Sequence, residues 1–300
     1  MKQVISISLG SSKRDHRVET EILGESFTIE RRGTDGDKKK AIEMIRELDG
    51  KVDAFGMGGT DLYIRAGKRV YTLRDSIPIA RAAKATPIVD GSGLKNTLER
   101  RAVRYLTEEL KMPLGEMTAL VPSAVDRFGM AESLVEVGCQ VVFGDLIFIL
   151  GLPFPIRTLK GLERVTSIVA PIACQLPISM LYPTGDRQEK SSSKYEKYYR
   201  QADIIAGDFH LVFKYMPEDM TGKIVLTNTV TEDNVKELRR RGVKQLITTT
   251  PELNGRSFGT NVMEGVLIAL AGQRPEDMSV DDYDQLLDRI DFRPRVAELN

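Results

Sequence analysis

Residues 117–145, MTALVPSAVDRFGMAESLVEVGCQVVFGD, contain the pattern that decides the fold class. An apolar run is followed by a turn with small residues, an amphipathic helical run, and a second apolar run that ends at Asp145. Similar strand and helix patterns alternate along the second half of the chain, to about residue 272. Strands that alternate with helices pair in parallel through right-handed crossovers. The sequence therefore predicts a Rossmann-like domain with a parallel sheet.

The turn after the first of these strands is a candidate nucleotide-binding site. A dinucleotide fold needs a tight turn, exposed N–H groups at the helix start, and an acid at the end of the next strand. Gly129 lies near the helix start and Asp145 ends the next strand, although two glycines of G-x-G-x-x-G are missing. The predicted cofactor-binding residues are Ser123, Ala124, Arg127, Phe128, Gly129 and Asp145, with Asp208, Asn228 and Thr249 at later strand ends.

The choice of cofactor depends on Asp145. An acid there would repel a 2′-phosphate, so NAD is favoured over NADP. S-adenosylmethionine is the alternative ligand, because it also uses an acid at this strand end. The alternative is that no nucleotide binds, that Gly129 allows close packing of the helix, and that Asp145 is an acid that stabilises the turn.

The whole chain is predicted to be an α/β protein of two domains. Residues 1–113 form an N-terminal mixed α/β domain, the predicted substrate-binding unit, which opens with a strand and a hairpin. Residues 114–272 form the Rossmann-like domain with a helical insertion at 146–200, and 273–300 form a C-terminal tail.

Composition favours a small-molecule partner. Lys plus Arg and Asp plus Glu both number 43, so no global positive field draws the chain to nucleic acid or to a membrane. Two cysteines and two histidines are too few for a disulfide framework or a zinc site, so no metal is expected. The N-terminus has no secretion signal, which predicts a cytoplasmic protein. The uncharged stretch 165–182 indicates a buried helix or an oligomer contact, such as a homodimer, rather than a membrane span.

Several long runs carry a resemblance to a known family. They are SLGSSKRDHRVE, DAFGMGGTDLY, TPIVDGSGLKNTLERR, SAVDRFGMAE, ADIIAGDFH and TTTPELNGRSFGTNVMEG. The chain resembles bacterial proteins labelled quinate 5-dehydrogenase, which are distantly similar to shikimate and quinate dehydrogenases. The resemblance implies an NAD(P)-dependent oxidoreductase that acts on a cyclic polyol acid. Those enzymes bind the substrate carboxylate with a Ser-x-Ser motif, and Ser6 and Ser8 match that motif here. Their N-V-T-x-P-x-K motif, with the catalytic lysine, and their N-T-D-G motif, with an aspartate, are absent from this sequence.

Hydride transfer from an alcohol needs a base for the hydroxyl proton and a cation for the substrate carboxylate. Candidates for catalysis are Lys95 and Asp90, in a strand-to-helix junction, and His16, which titrates near neutrality. Their alternative roles are a surface lysine, a turn acid and a residue of a solvated loop. The candidate substrate-binding residues are Lys13, Arg14, Gly58, Asp61, Asn96 and Asn261.

Three functions remain open at this point. The first is an NAD(P)-dependent oxidoreductase that acts on a small hydroxy acid. The second is a transferase on the same scaffold, which uses S-adenosylmethionine or another nucleotide. The third is a non-catalytic ligand-binding protein.

Overall fold

The computed structural model describes residues 1–66, 69–177, 195–250, 252–253, 256–257 and 259–300. The chain has a two-domain α/β fold with one mixed sheet in each lobe. The first sheet has the strand order β2-β3-β1-β4-β7. Its strands are β1 (Lys2–Ser8), β2 (His16–Ile22), β3 (Glu25–Gly33), β4 (Ala54–Gly58) and β7 (Ile88–Val89).

The first sheet is built around β1, which pairs in parallel with both β3 and β4. The predicted hairpin is present: β2 and β3 are antiparallel, and Leu23 and Gly24 between them have φ angles of 53° and 79°. Two central residues at positive φ make a type I′ turn, whose twist matches that of paired strands. A separate hairpin, β5 (Tyr63–Ala66) with β6 (Arg69–Thr72), follows β4.

The second sheet has the strand order β15-β12-β11-β10-β8-β9 and is parallel except for its edge strand β15. The predicted alternation of strands and helices is observed, and the inner parallel strands are short, apolar and largely buried on both faces. These strands are β8 (Thr118–Val121), β9 (Gln140–Phe143), β10 (Ile204–Ala206), β11 (Ile224–Thr227), β12 (Gln245–Thr248) and β15 (Arg295–Glu298). A two-residue pair, β13 (Glu252–Leu253) with β14 (Arg256–Ser257), follows β12.

Helices cover both faces of both sheets, so each lobe has a core on either side of its sheet. The helices of the first 140 residues are α1 (Lys38–Leu48), α2 (Ile77–Ala80), α3 (Ser92–Glu108) and α4 (Phe128–Glu136). The later ones are α5 (Leu159–Ala173), α6 (Glu196–Gln201), α7 (Phe209–Tyr215), α8 (Glu232–Arg240), α9 (Thr260–Ala271) and α10 (Val280–Arg289).

The end of the chain contributes to both lobes. Helix α9 packs on β1 and β4 of the first sheet, α10 packs on α3, and β15 then joins the second sheet beside β12. The domain boundaries at residues 113 and 272 stay predictions. These passages of the chain between the lobes matter for the site, because they bring the start of α9 to the place where the two sheets face each other.

The predicted insertion at 146–200 contains a π-helical turn at Asp145–Ile149 and helix α5, and it ends within α6. Residues 178–194 of it lie outside the described residues. Part of the uncharged stretch 165–182 forms the second half of α5. Among the described residues, no helix combines the length and the apolar character needed to cross a bilayer.

Candidate functional site

A cleft of about 160 Å³ lies between the two sheets. Its volume is below the roughly 300–1,000 Å³ that is typical of pockets for drug-sized ligands, so the cleft suits a small molecule. The walls come from the carboxyl ends of strands in both lobes, where ligands of open α/β sheets bind. First-lobe groups follow β1 and β4, second-lobe groups follow β8, β10 and β11, and the start of α9 closes the side.

Lys95 of α3 joins the two lobes at one end of the cleft. Its Nζ donates to Asp61 Oδ1 of the first lobe at 3.2 Å and to Asp126 Oδ1 of the second lobe at 3.0 Å. Burial alone would lower the pKa of Lys95, but the carboxylates of Asp126 and Asp61 outweigh it and raise that pKa. Lys95 is therefore held as a cation and a donor, which does not fit the predicted role of a base.

The two acids beside Lys95 differ in protonation. Burial raises the pKa of Asp61 well above its ordinary value, against the attraction of Lys95. Burial would also raise the pKa of Asp126, but Lys95 and Arg127 outweigh it, and the pKa of Asp126 lies below its ordinary value. The environment of the pair therefore favours the charged form of Asp126 more strongly than that of Asp61.

Arg127 makes a second buried network behind the cleft wall. Its guanidinium contacts Glu99 of α3 at 3.2 Å, Asp208 at 3.1 Å and the neighbouring Asp126 at 3.2 Å. Its side chain is only 5% exposed. Asp208 also accepts from Asn228 Nδ2 at 3.1 Å, which fixes the end of β10 against the end of β11. One cation thus balances acids from three elements, as burial of charge requires.

The other end of the cleft contains two arginines and a histidine. Arg31 of β3 donates to Ser8 Oγ at 3.0 Å, to Ser11 O at 3.0 Å and to Asp15 Oδ1 at 2.9 Å. Arg14 contacts Nε2 of His210, which lies in the other lobe. Burial, and next the nearby charge of Arg14, lower the pKa of His210 to about 3, so His210 is neutral.

Two glycines in β4 allow the start of α9 to approach the first sheet. A Cβ on Gly56 would lie 2.9 Å from Asn261 Nδ2, and one on Gly58 would lie 3.0 Å from Ser8 Oγ. In the space that they leave, Asn261 Nδ2 donates to Ser6 Oγ at 2.8 Å. The glycine-rich run after a buried strand therefore has a packing reason, and it puts Asn261 into the cleft.

The predicted nucleotide turn is filled by the protein itself. Asp145 is buried and turns inward, where its carboxylate accepts from Ala124 N at 3.1 Å and Val125 N at 3.0 Å. Burial raises the pKa of Asp145 to about 6, against these two N–H donors. The amides that would bind a pyrophosphate are therefore occupied, and the acid that would bind the ribose is unavailable to it.

Gly129 supports the same correction. A Cβ there would lie 2.1 Å from Asn96 Oδ1 and 3.0 Å from the backbone of Asn96, so the glycine lets α3 and α4 cross closely. Gly129 is thus a packing glycine and Asp145 a turn acid, the structural alternative that the sequence left open. The prediction of NAD or NADP at this turn is wrong, because the carboxylate of Asp145 already occupies the amides of Ala124 and Val125.

The cleft brings together ten of the sequence-predicted site residues, namely Arg14, Gly58, Asp61, Asp90, Lys95, Ser123, Arg127, Asp208, Asn228 and Asn261. Asp90 also accepts three backbone N–H bonds, from Leu62, Tyr63 and Ser92, so it shapes the loop as well. In the described part of the chain, no group of three or more His, Cys, Asp or Glu side chains is arranged to hold a metal ion.

The remaining predicted residues lie elsewhere. Asn96, Phe128 and Gly129 line a second cavity between α3, α4 and α5, which shares Lys95 and Asp126 with the cleft. The residues that line neither cavity are Lys13, which is exposed, His16 at the start of the edge strand β2, and the buried Ala124, Asp145 and Thr249.

Sequence reasoning missed Arg31, Thr60 and Glu99. Arg31 and Thr60 line the cleft, and Glu99 holds Arg127. A signal for Glu99 was present, because it lies one turn after Lys95 on a helix face that is buried around it. No comparable signal marks Arg31, because it lies in the charged run Glu30-Arg31-Arg32 near the end of β3.

Comparison with known proteins found similar folds at low identity. A galactofuranose binding protein is 14% identical, with 97% of this chain and 99% of that chain covered and a TM-score of 0.38. The glucose-galactose binding protein GanP from Geobacillus stearothermophilus is 8% identical, with 99% and 97% covered and a TM-score of 0.39. The periplasmic arabinose-binding component of an ABC transporter from Shewanella sp. ANA-3 is 9% identical, with 96% and 95% covered and a TM-score of 0.36.

These findings correct several expectations. The similar structures are described as sugar-binding proteins rather than dehydrogenases, so the resemblance to quinate 5-dehydrogenases is wrong. The NAD(P)-dependent oxidoreductase, its action on a small hydroxy acid and its nicotinamide cofactor are corrected with it. The expected cytoplasmic location is corrected too, because the structures described include periplasmic binding proteins.

No curated protein matches the chain. Two family descriptions do match it, and they meet between β7 and α3. Residues 3–90 match the family described as Domain of unknown function (DUF8753). Residues 93–299, well over half of the chain, match a second family, and the protein therefore belongs to the family described as Domain of unknown function (DUF8754).

Proposed function

We propose that the protein binds a small polyhydroxylated molecule, of about the size of a monosaccharide, in the cleft between its lobes, and that it does so without catalysis. The observation that carries this proposal is the composition of the cleft walls. Both lobes contribute hydroxyl, amide and carboxylate groups to one small cleft. A sugar hydroxyl both donates and accepts, so it needs donors and acceptors together.

The groups around the cleft are held in place before any ligand arrives. Asn261 is fixed by Ser6, and Asn228 by the contacts that it makes with Asp208 and with Phe209 N. Lys95 and Arg127 are fixed by buried carboxylates. Groups that are ordered in advance lose less entropy on binding, which favours affinity for a small ligand.

A binding role also agrees with the protonation of the cleft. Lys95 remains a cation and a donor, and His210 is a neutral ring that accepts from Arg14. Carboxylate oxygens of Asp61 and Asp90 face the same space and can accept from hydroxyls.

Titration calorimetry with D-galactose, D-allose and L-arabinose tests the proposal. We expect saturable binding of at least one of these sugars. Replacing Asn261 with alanine removes one or two hydrogen bonds to the ligand and should weaken that binding about tenfold, which corresponds to ~1.4 kcal/mol.

The matched control is Gln273→Ala, which removes an exposed amide just beyond the other end of α9 and should leave the affinity unchanged. An absence of saturable heat with all three sugars, from a protein that melts cooperatively, would contradict the proposal.

The domain bounds, the kind of partner and the oligomeric state are proposals as well. We propose that 114–272 is a Rossmann-like lobe with an insertion at 146–200, and that 1–113 is the other ligand-binding lobe. We propose further that the ligand is the partner rather than nucleic acid or a membrane, and that the chain forms a homodimer. Sedimentation velocity measures the last of these directly.

A further inference from the structure

We infer that the ligand carries an anionic group, a carboxylate or a phosphate ester, which binds between Arg31 and Arg14 at the first-lobe end of the cleft. This inference deepens the proposed function and rests on it. The ligand class is then a sugar acid or a sugar phosphate rather than a neutral sugar.

The buried guanidinium of Arg31 is the first observation. Its side chain is 10% exposed and lines the cleft. A guanidinium has five N–H donors. Within the described residues three of them are used, by Ser8 Oγ, Ser11 O and Asp15 Oδ1. The other two, on Nε and Nη2, are available at the wall of the cleft, and a forked donor pair of this kind matches a carboxylate or a phosphate.

The convergence of positive charge is the second observation. Arg14 reaches the cleft from the turn after β1 and contacts the His210 ring, and the charge of Arg31 also acts on that ring. Both arginines and the imidazole therefore face one part of the cleft. The low pKa of His210, caused first by burial and then by Arg14, agrees with a positive potential there. An anion bound at this point would meet attraction from two guanidiniums.

The opposite end of the cleft has a different balance. There Lys95 pairs with Asp61 and Asp126, and Arg127 pairs with Asp126 and Asp208. These two cations meet three carboxylates there, whereas Arg31 meets Asp15, and the carboxylates of this end can accept from ligand hydroxyls. A ligand with an acid at one end and hydroxyls at the other fits both ends at once.

Calorimetry with three matched sugars tests the inference. The probes are D-galactose, D-galacturonate and α-D-galactose 1-phosphate, which share a ring and differ in charge. We expect at least one of the two anions to bind tenfold or more tightly than D-galactose, and the better of the two identifies the anionic group. If D-galactose binds as tightly as both anions, the anionic site is excluded while the proposed function stands. If none of the three binds, the proposed function fails with it.

Two variants locate the anion. Arg31→Gln and Arg14→Gln should each bring the ratio of anion affinity to D-galactose affinity close to one. The controls are Arg17→Gln, on β2, and Arg32→Gln, next to Arg31 in the sequence. Arg32 pairs with Glu30, and neither Arg17 nor Arg32 lines the cleft. Each control removes one positive charge outside the cleft and should leave the ratio of anion affinity to D-galactose affinity unchanged. Arg14→Gln is the decisive variant should Arg31→Gln fail to fold, because Arg14 is less buried. A ratio that survives Arg14→Gln would overturn the assignment.

The imidazole provides a readout that does not depend on affinity. The chain has two histidines, so the NMR signal of His210 can be assigned with a His16→Gln variant. A bound anion should raise the pKa of His210, whereas bound D-galactose should not. An unchanged His210 titration in the presence of saturating anion would place the anion elsewhere and contradict the inference.

Discussion

Glu264 shows how one residue in the core can set the pH dependence of the protein. It lies in α9, fully within the first lobe, where Tyr283 donates to its Oε1 at 2.8 Å. Its Oε2 is buried and has no hydrogen-bond partner among the described residues. Burial, and next the nearby Asp90, raise the pKa of Glu264 to about 8. The folded protein therefore binds a proton that the unfolded chain releases near pH 4.5.

This proton linkage predicts the direction of a stability change. Between about pH 5 and about pH 8 the folded state holds more protons at Glu264 than the unfolded state, so the free energy of unfolding should fall as the pH rises. The slope due to one proton approaches about 1.4 kcal/mol per pH unit. Urea denaturation at several pH values measures it.

The matched variant is Glu264→Gln, which keeps the shape and an oxygen acceptor for Tyr283 but removes the titration. It should reduce the slope above about pH 6, where Asp145 no longer contributes because its pKa is raised only to about 6, and leave the contribution of acids such as Asp61. An equally steep slope in the variant would mean that another buried acid is responsible.

The crossing of α3 and α4 depends on the absence of a side chain at Gly129. The atoms nearest to a Cβ there are Oδ1, Cα and O of Asn96. Cα and O are backbone atoms, so they can move away only if the helix moves. The two helices contact each other along their length and carry Lys95, Glu99 and Arg127 into the site. The spacing of these helices is therefore part of the geometry of the cleft.

Gly129→Ala should destabilise the protein by about 1–3 kcal/mol, because the methyl group overpacks the crossing. Chemical denaturation measures the loss. In an Asn96→Ala background the same change should cost less, since the contact with Oδ1 is gone while the backbone contacts remain. A Gly129→Ala variant as stable as the parent protein would show that the helices can separate freely.

The two lobes are connected by three passages of the chain and by buried charge. The chain leaves the first lobe after α3, returns to it after β12 with α9, and leaves it again after α10 for β15. Across the boundary, Lys95 contacts Asp126 and Arg127 contacts Glu99. These contacts fix the lobes relative to each other on the α3 side of the cleft.

Removing the charge of Arg127 should therefore destabilise the whole protein. Arg127→Gln leaves the buried Glu99 and Asp126 and the partly exposed Asp208 without their shared cation, a change that costs about 3–5 kcal/mol. The loss should shrink at low pH, where these acids can be protonated, and denaturation at pH 7 and pH 5 compares the two. Arg104→Gln, on an exposed face of α3, is the control. A loss below about 1 kcal/mol at pH 7 would mean that the cluster is not a structural centre.

The order of strands and helices in the second half could be predicted because hydrophobic periodicity is a local property of the chain. The same holds for the polar residues that end strands, such as Asp208 and Asn228, which come together because parallel strands end at one edge. The direction in which a side chain points at such an edge is not local. Asp145 turns inward because two backbone amides lie in reach, and the sequence around it contains no sign of this.

The other residues of the cleft are placed by packing between distant parts of the chain. Arg31 enters the cleft from near the carboxyl end of β3, and α9 returns from the second half of the chain to cover the first sheet and supply Asn261. Both depend on contacts between residues more than twenty positions apart, which no periodic pattern encodes. Local patterns thus specified an α/β chain with polar strand ends, while burial and charge pairing across the lobes specified which of those ends form a site.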